Sequence, residues 1–80
     1  MKARVTVMPK KTVLDPQGKT VAKAIRHLGM ERVTEARVGK VIELEIEGGE
    51  TNEARRKLEE ICRDLLSNPV IEDYRLEIEK

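Results

Sequence analysis

Polar and apolar residues alternate from the first positions onward. Ala3, Val5 and Val7 fall on one side of the pattern and Lys2, Arg4 and Thr6 on the other. A period of two predicts a strand with one buried face. Pro9 has no N–H to give a ladder and ends that strand. Lys10 to Leu14 then forms a short connection. At Asp15-Pro16 the period changes to that of a helix. Asp15 is an N-cap whose carboxylate can accept from the free amides, and Pro16 suits the first helical position. Val21, Ile25 and Leu28 share a face flanked by Ala22 and Ala24, with Thr20, Lys23 and His27 opposite. Gly29 follows the last apolar residue, where a left-handed C-terminal cap belongs.

Val33 to Val38 and Val41 to Glu47 read as two further strands, with Gly39-Lys40 as a two-residue hairpin turn between them. That pairing carries a conflict. Val38 opposite Val41 puts Val33, Glu35 and Arg37 on the face of Ile42, Leu44 and Ile46, so two charges sit among core residues. A bulge or a longer turn is the expected remedy. Gly48-Gly49-Glu50 is a loop, and Thr51 or Asn52 caps a second helix running to about Ser67. Its apolar stripe is Ala54, Leu58, Ile61, Cys62, Leu65 and Leu66. Asn68-Pro69 stops it. In the last strand Tyr74, Leu76 and Ile78 face one way, and Asp73, Arg75, Glu77 and Glu79 the other.

This order, βαββαβ, predicts a single α+β domain over residues 1–80 of ferredoxin-like form. It would have a four-stranded antiparallel sheet with both helices on one face. The opposite face would carry Arg4, Thr6, Glu43, Glu45, Arg75 and Glu77. The first strand is central in that topology, so Arg4 can pair with Glu43 or Glu45 on one side and Glu77 on the other.

Composition narrows the function. Sixteen basic and 15 acidic side chains leave a net charge of +1. That balance argues against a surface built to hold nucleic-acid phosphates. No apolar run is long enough for a membrane span. Met1-Lys2-Ala3-Arg4 leads straight into a strand pattern rather than a signal-peptide core, which points to the cytoplasm. A domain of 80 residues buries a limited core. With Cys62 the only cysteine, no internal disulfide can support it, and with one His besides, a metal is a poor candidate. Oligomerisation remains as the support.

Individual residues offer little chemistry. His27 lies on the polar side of its helix with no nucleophile pattern nearby, and reads as a solvated histidine. Cys62 lies in the apolar stripe and reads as a packed core thiol. Glu43, Glu45 and Glu47 alternate along one strand and read as an ion-paired or solvated face rather than a cation site. Gly18 stands out, because glycine in a first helical turn costs roughly 0.5–1 kcal/mol against alanine. Either the helix start is loose there, or another backbone comes too close for a side chain. No phosphate-binding glycine loop is present.

Several segments carry a more specific signal. Leu14-Asp15-Pro16-Gln17-Gly18 is followed by Val21, Ala24-Ile25 and Leu28-Gly29. Next come Val33, Arg37-Val38-Gly39-Lys40 and Glu43-Leu44. Last is the run from Leu65 through Asn68-Pro69 to Tyr74. In this order and spacing the chain resembles the PurS family over essentially its whole length. It departs from that family's pattern at Pro9, where leucine is usual, and at Thr12, where glycine is frequent. Both positions lie in the connection before the first helix.

The resemblance implies a function that composition cannot reach. It implies the small, non-catalytic subunit of phosphoribosylformylglycinamidine synthase, a glutamine-dependent complex of purine biosynthesis. The chain itself would hold no cofactor, and ATP and Mg would serve the partner synthetase subunit, PurL. A glutaminase subunit, PurQ, would release ammonia. The small subunit would form a homodimer or tetramer, bridge the two and assist ammonia transfer. The matching residues, and so the candidates for partner contacts, are Asp15, Gln17, Gly18, Arg37, Gly39, Lys40, Asn68 and Tyr74, with Pro69 beside them. Two readings from other classes share the element order. One is an ACT-like regulatory module, but its ligand loop usually holds glycine and Pro9-Lys10-Lys11-Thr12 has none. The other is an RNA-binding domain, which stacks bases on sheet aromatics, whereas Tyr74 is the only aromatic here and is expected to face the helices.

Overall fold

The computed structural model describes residues 1–79. In chain order it contains β1 (Lys2–Pro9), α1 (Pro16–His27), β2 (Lys40–Glu45), α2 (Asn52–Ile61) and β3 (Glu72–Glu79). A π-helical turn, Cys62–Leu66, continues α2. The strands form one antiparallel sheet in the order β2-β1-β3.

The alternation read from the sequence sets the faces. Val5 stands opposite Ile42 and Leu76, and Ala3 opposite Leu44 and Ile78. Arg4 stands opposite Glu43 and Glu77 on the outer face, and its guanidinium reaches Glu43 at 3.7 Å. That pair is exposed on both sides, so it sets register more than stability. Val5, Val7 and Cys62 are fully buried, with Ile42, Leu66, Tyr74 and Leu76 packed around them. Cys62 is thus a core thiol, and burial, with Glu59 nearby, raises its pKa.

Both helices start as expected. Asp15 accepts from the Gly18 amide at 2.9 Å, and Thr51, rather than Asn52, accepts from Ala54 at 3.0 Å. α1 ends in a Schellman arrangement. Met30 N–H reaches the Ile25 carbonyl, Gly29 N–H reaches Arg26, and Gly29 has φ +109°. The π turn brings Ser67 beneath Cys62, whose carbonyl accepts the Ser67 hydroxyl at 2.8 Å.

Three expectations are corrected. Among the described residues there are three strands, not four, because Val33 to Val38 joins no ladder. Gly39-Lys40 is not a hairpin turn. Gly39 has no positive φ and lies against the Val7 carbonyl and the Met8 sulfur, so its need is for space. The helices do not share one sheet face either. The core cluster contains no α1 side chain, and the Cα trace is 48 Å long. An eight-residue strand spans only about 27 Å, so α1 stands beyond the sheet. The radius of gyration, 16.1 Å, exceeds the about 12 Å of a compact chain this long.

The reason lies in what α1 packs against. Its buried residues are Gly18 and Ala22, and they face segment 33–38 rather than the sheet. Arg26 donates to the Val33 carbonyl at 2.9 Å, and Asp15 accepts from the Val38 amide at 3.0 Å. The segment is tied to α1 at both ends. This also removes the conflict in the sequence, since Glu35 and Arg37 stay exposed instead of facing Ile42 and Leu44.

A methyl group at position 18 would overlap the Ala36 carbonyl. Gly18→Ala should therefore destabilise the fold by roughly 1–3 kcal/mol despite its better helix propensity. Denaturant titration checks this, and unchanged or raised stability would contradict the close approach.

Candidate functional site

Most of the candidate residues collect where the C-terminal end of β1, the start of α1 and the end of the 33–38 segment meet. Asp15 uses both carboxylate oxygens there, one on Gly18 and one on Val38. The amides of Val38 and Gly18 hold its carboxyl below the usual carboxylate range. Arg37 donates to the Pro9 carbonyl at 3.1 Å, which fastens the segment to the end of β1. Gly39 makes the adjacent crossing over Val7 and Met8. Gln17 and Lys40 are exposed beside this junction.

Asn68 builds the turn that brings β3 to the same end of the sheet. Its side-chain oxygen accepts from Val70 at 3.1 Å, and its carbonyl accepts from Ile71 and Glu72 at 3.0 and 2.7 Å. Lys10 N–H then reaches the Ile71 carbonyl at 2.9 Å. Tyr74 faces the helical layer, as the alternation requires, and its hydroxyl donates to Glu59 at 2.7 Å. That bond raises the Tyr74 pKa, and the ring is committed to packing.

What the junction can do follows from its inventory. It contains backbone crossings, caps and one buttressed tyrosine, and no nucleophile paired with a base. Among the described residues, no three His, Cys, Asp or Glu side chains lie together in a way that would hold a metal. His27 is exposed at the far end of α1. Exposed apolar side chains do flank the junction. Leu14, Leu65, Val70 and Ile71 are 66, 76, 78 and 43% accessible. Sequence reasoning assigned Leu65 to the helix stripe and passed over Val70. The available signal was the width of that stripe, because Leu65 and Leu66 cannot both face the sheet.

Residues 2–80 match the family model described as PurS: Phosphoribosylformylglycinamidine (FGAM) synthase. This chain belongs to the PurS family. The PurS subunit of phosphoribosylformylglycinamidine synthase from Methanocaldococcus jannaschii is 40% identical over 79 residues, which cover 99% of this chain and 95% of that one. The fold agrees as well. The solved Bacillus subtilis PurS has a TM-score of 0.85 at 42% identity, with 99% of this chain and 98% of that chain covered. A chain of the PurLQS structure from Thermotoga maritima has a TM-score of 0.80 at 33% identity, covering 95% of this chain and 93% of that one.

The candidate residues Asp15, Gly18, Arg37, Gly39, Asn68 and Tyr74 all have intrachain bonds or close approaches. The backbone that excludes a side chain at Gly18 is the chain's own, at Ala36. Gln17 and Lys40 are exposed, and among the described residues their side chains make no hydrogen bond or ion pair.

Asp15 makes stability pH-dependent. Its folded pKa lies below the unfolded value, so its contribution is present above the unfolded pKa of about 4 and is lost as pH falls through the folded pKa. Asp15→Asn keeps one acceptor and loses the other. It should lower the melting temperature at pH 7 and flatten the acid limb of a plot of melting temperature against pH. Parallel acid limbs for the two proteins would contradict the double acceptance. For Tyr74 the sign is opposite. Its contribution is present below about pH 10 and lost as pH rises through the raised folded pKa. Tyr74→Phe should therefore lower stability at neutral pH and converge with wild type in strong alkali.

Proposed function

We propose that this chain serves as the small, non-catalytic subunit of a phosphoribosylformylglycinamidine synthase in purine biosynthesis, joining a PurL-type synthetase to a PurQ-type glutaminase. The observation that carries the reading is the likeness, over nearly the whole chain, to PurS subunits and to a chain of the PurLQS structure. The geometry is suited to that role. A rigid junction supports exposed apolar residues at one end of the sheet, as a docking element requires.

On this reading the ATP and magnesium chemistry belongs to the synthetase, and ammonia is released by the glutaminase. The chain works as a homo-oligomer in the cytoplasm and helps form or seal the ammonia path. Gln17 and Lys40, exposed beside the junction, are the matching residues best placed to touch a partner directly. Asp15, Gly18, Arg37, Gly39, Asn68 and Tyr74 act by holding the surface in shape. Among the described residues, no helix is long and apolar enough to cross a membrane.

Reconstitution tests this. The purified chain alone should show neither glutaminase nor ATP-dependent ligase activity. Added to its two partners, it should raise glutamine-dependent synthesis far more than ammonia-dependent synthesis. Equal enhancement of both would mean that it stabilises the synthetase without coupling the two sites.

A further inference from the structure

Charge is unevenly divided along the chain. Residues 10–39, which run from the end of β1 through α1 to the start of β2, hold seven basic and three acidic side chains, a net of +4. The remaining residues hold nine and twelve, a net of −3. Because α1 stands beyond the sheet, the division is spatial as well, with a basic end and an acidic body. On α1 itself the cations are concentrated. The helix carries Lys19, Lys23 and Arg26 and no carboxylate. These three follow the i, i+4, i+7 spacing of one helix face. They form one wall of an open groove of about 530 Å³, and Thr34, Glu35 and Ala36 form the other. Among the described residues, none of the ion pairs includes Lys19, Lys23 or Arg26.

We infer that this groove is a docking face for an acidic surface on one of the enzyme subunits, which sets carboxylates against Lys19 and Lys23. The inference rests on the bridging reading and adds to it a face and the charge of what meets it. Three observations select the occupant. The cations rise by about 6 Å from Lys19 to Lys23 and about 4.5 Å from Lys23 to Arg26, the spacing of side chains on an opposing protein helix. The same face of a second copy carries the same charges and is repelled there. A nucleic acid would want an unbroken run of cations with aromatics for its bases. Glu35 interrupts the groove, and residues 10–39 contain no aromatic. Exposed cations without intrachain partners act mainly on the rate of encounter, so the face should show in association more than in dissociation.

Binding of the chain to separately immobilised synthetase and glutaminase subunits tests this, with and without ATP and glutamine and across a salt series. The wild type should associate with one of them quickly at low salt and more slowly as salt rises. Lys19→Glu with Lys23→Glu should slow that association roughly tenfold at low salt, with the gap closing at high salt. Thermal melts and sedimentation should match wild type. Arg26 is left in place because it holds the Val33 carbonyl. Lys19→Gln with Lys23→Gln removes the charges without reversing them. It should give an intermediate rate, and it decides the matter if the reversal does not fold. Arg56→Glu with Lys57→Glu, on α2, makes the same change in net charge and should leave the rate within about twofold. Equal slowing by that pair overturns the inference, because net charge alone would then account for the effect. Labelled single-stranded RNA held by the wild type and released by the Lys19 and Lys23 variant overturns it in favour of a nucleic-acid face. A variant that loses oligomer mass while meeting both subunits at the wild-type rate overturns it in favour of a second copy. If the wild type binds and couples the subunits and the variant associates equally fast, the inference falls and the bridging reading stands. If the wild type meets neither subunit, both fall.

Discussion

One carboxylate governs the shape of this molecule. Asp15 caps α1 with one oxygen and holds the amide of Val38 with the other. A cap is a local device that answers the free amides of a helix start. Here it is also a long-range tie, joining residues 23 positions apart. Gly18 lets the tied segment lie against the helix, and Arg37 and Gly39 carry the chain from there across the end of β1. Without the second oxygen, segment 33–38 would keep only the tie from Arg26 to the Val33 carbonyl at its other end.

The elongated form follows from that tie, and it leaves the fold short of core. Among the described residues, only Val5, Val7 and Cys62 are fully sequestered among the larger side chains. Tyr74, Leu76 and Ile42 are covered in part, by α2 and its π turn. Leu28 and Met30, at the far end of α1, stay open. A small domain with so little buried and two free sheet edges is physically inclined to associate. This agrees with membership of a family whose relatives include a chain in the PurLQS structure.

The candidate residues that carried the resemblance are mostly architectural. Asp15, Gly18, Arg37 and Gly39 make one crossing, Asn68 makes the turn that enters β3, and Tyr74 braces α2 through Glu59. In the proposed bridging role the contribution is the placement of a surface, so the residues most needed are those that prevent the surface from moving. Leu14, Leu65, Val70 and Ile71 are presented on that frame.

Much of this was legible in the sequence. The period of two set the faces of β1, β2 and β3. The caps at Asp15 and Thr51 and the glycine stop at Gly29 set the helix limits, and the apolar stripe placed Cys62 in the core. Those signals act within a few residues, or follow directly from the alternation of side chains. The non-helical character of 33–38 was legible too, and so was the tightness at Gly18. What the sequence left open was which backbone each would meet. The charges at Glu35 and Arg37 warned against a simple hairpin without naming the alternative, and Gly39 carried a turn signal although its role is to admit β1. Only the tertiary structure settled these points. The partner of a hydrogen-bonding edge is chosen by competition among distant groups, and here an aspartate and an arginine on the α1 side outcompeted the neighbouring strand.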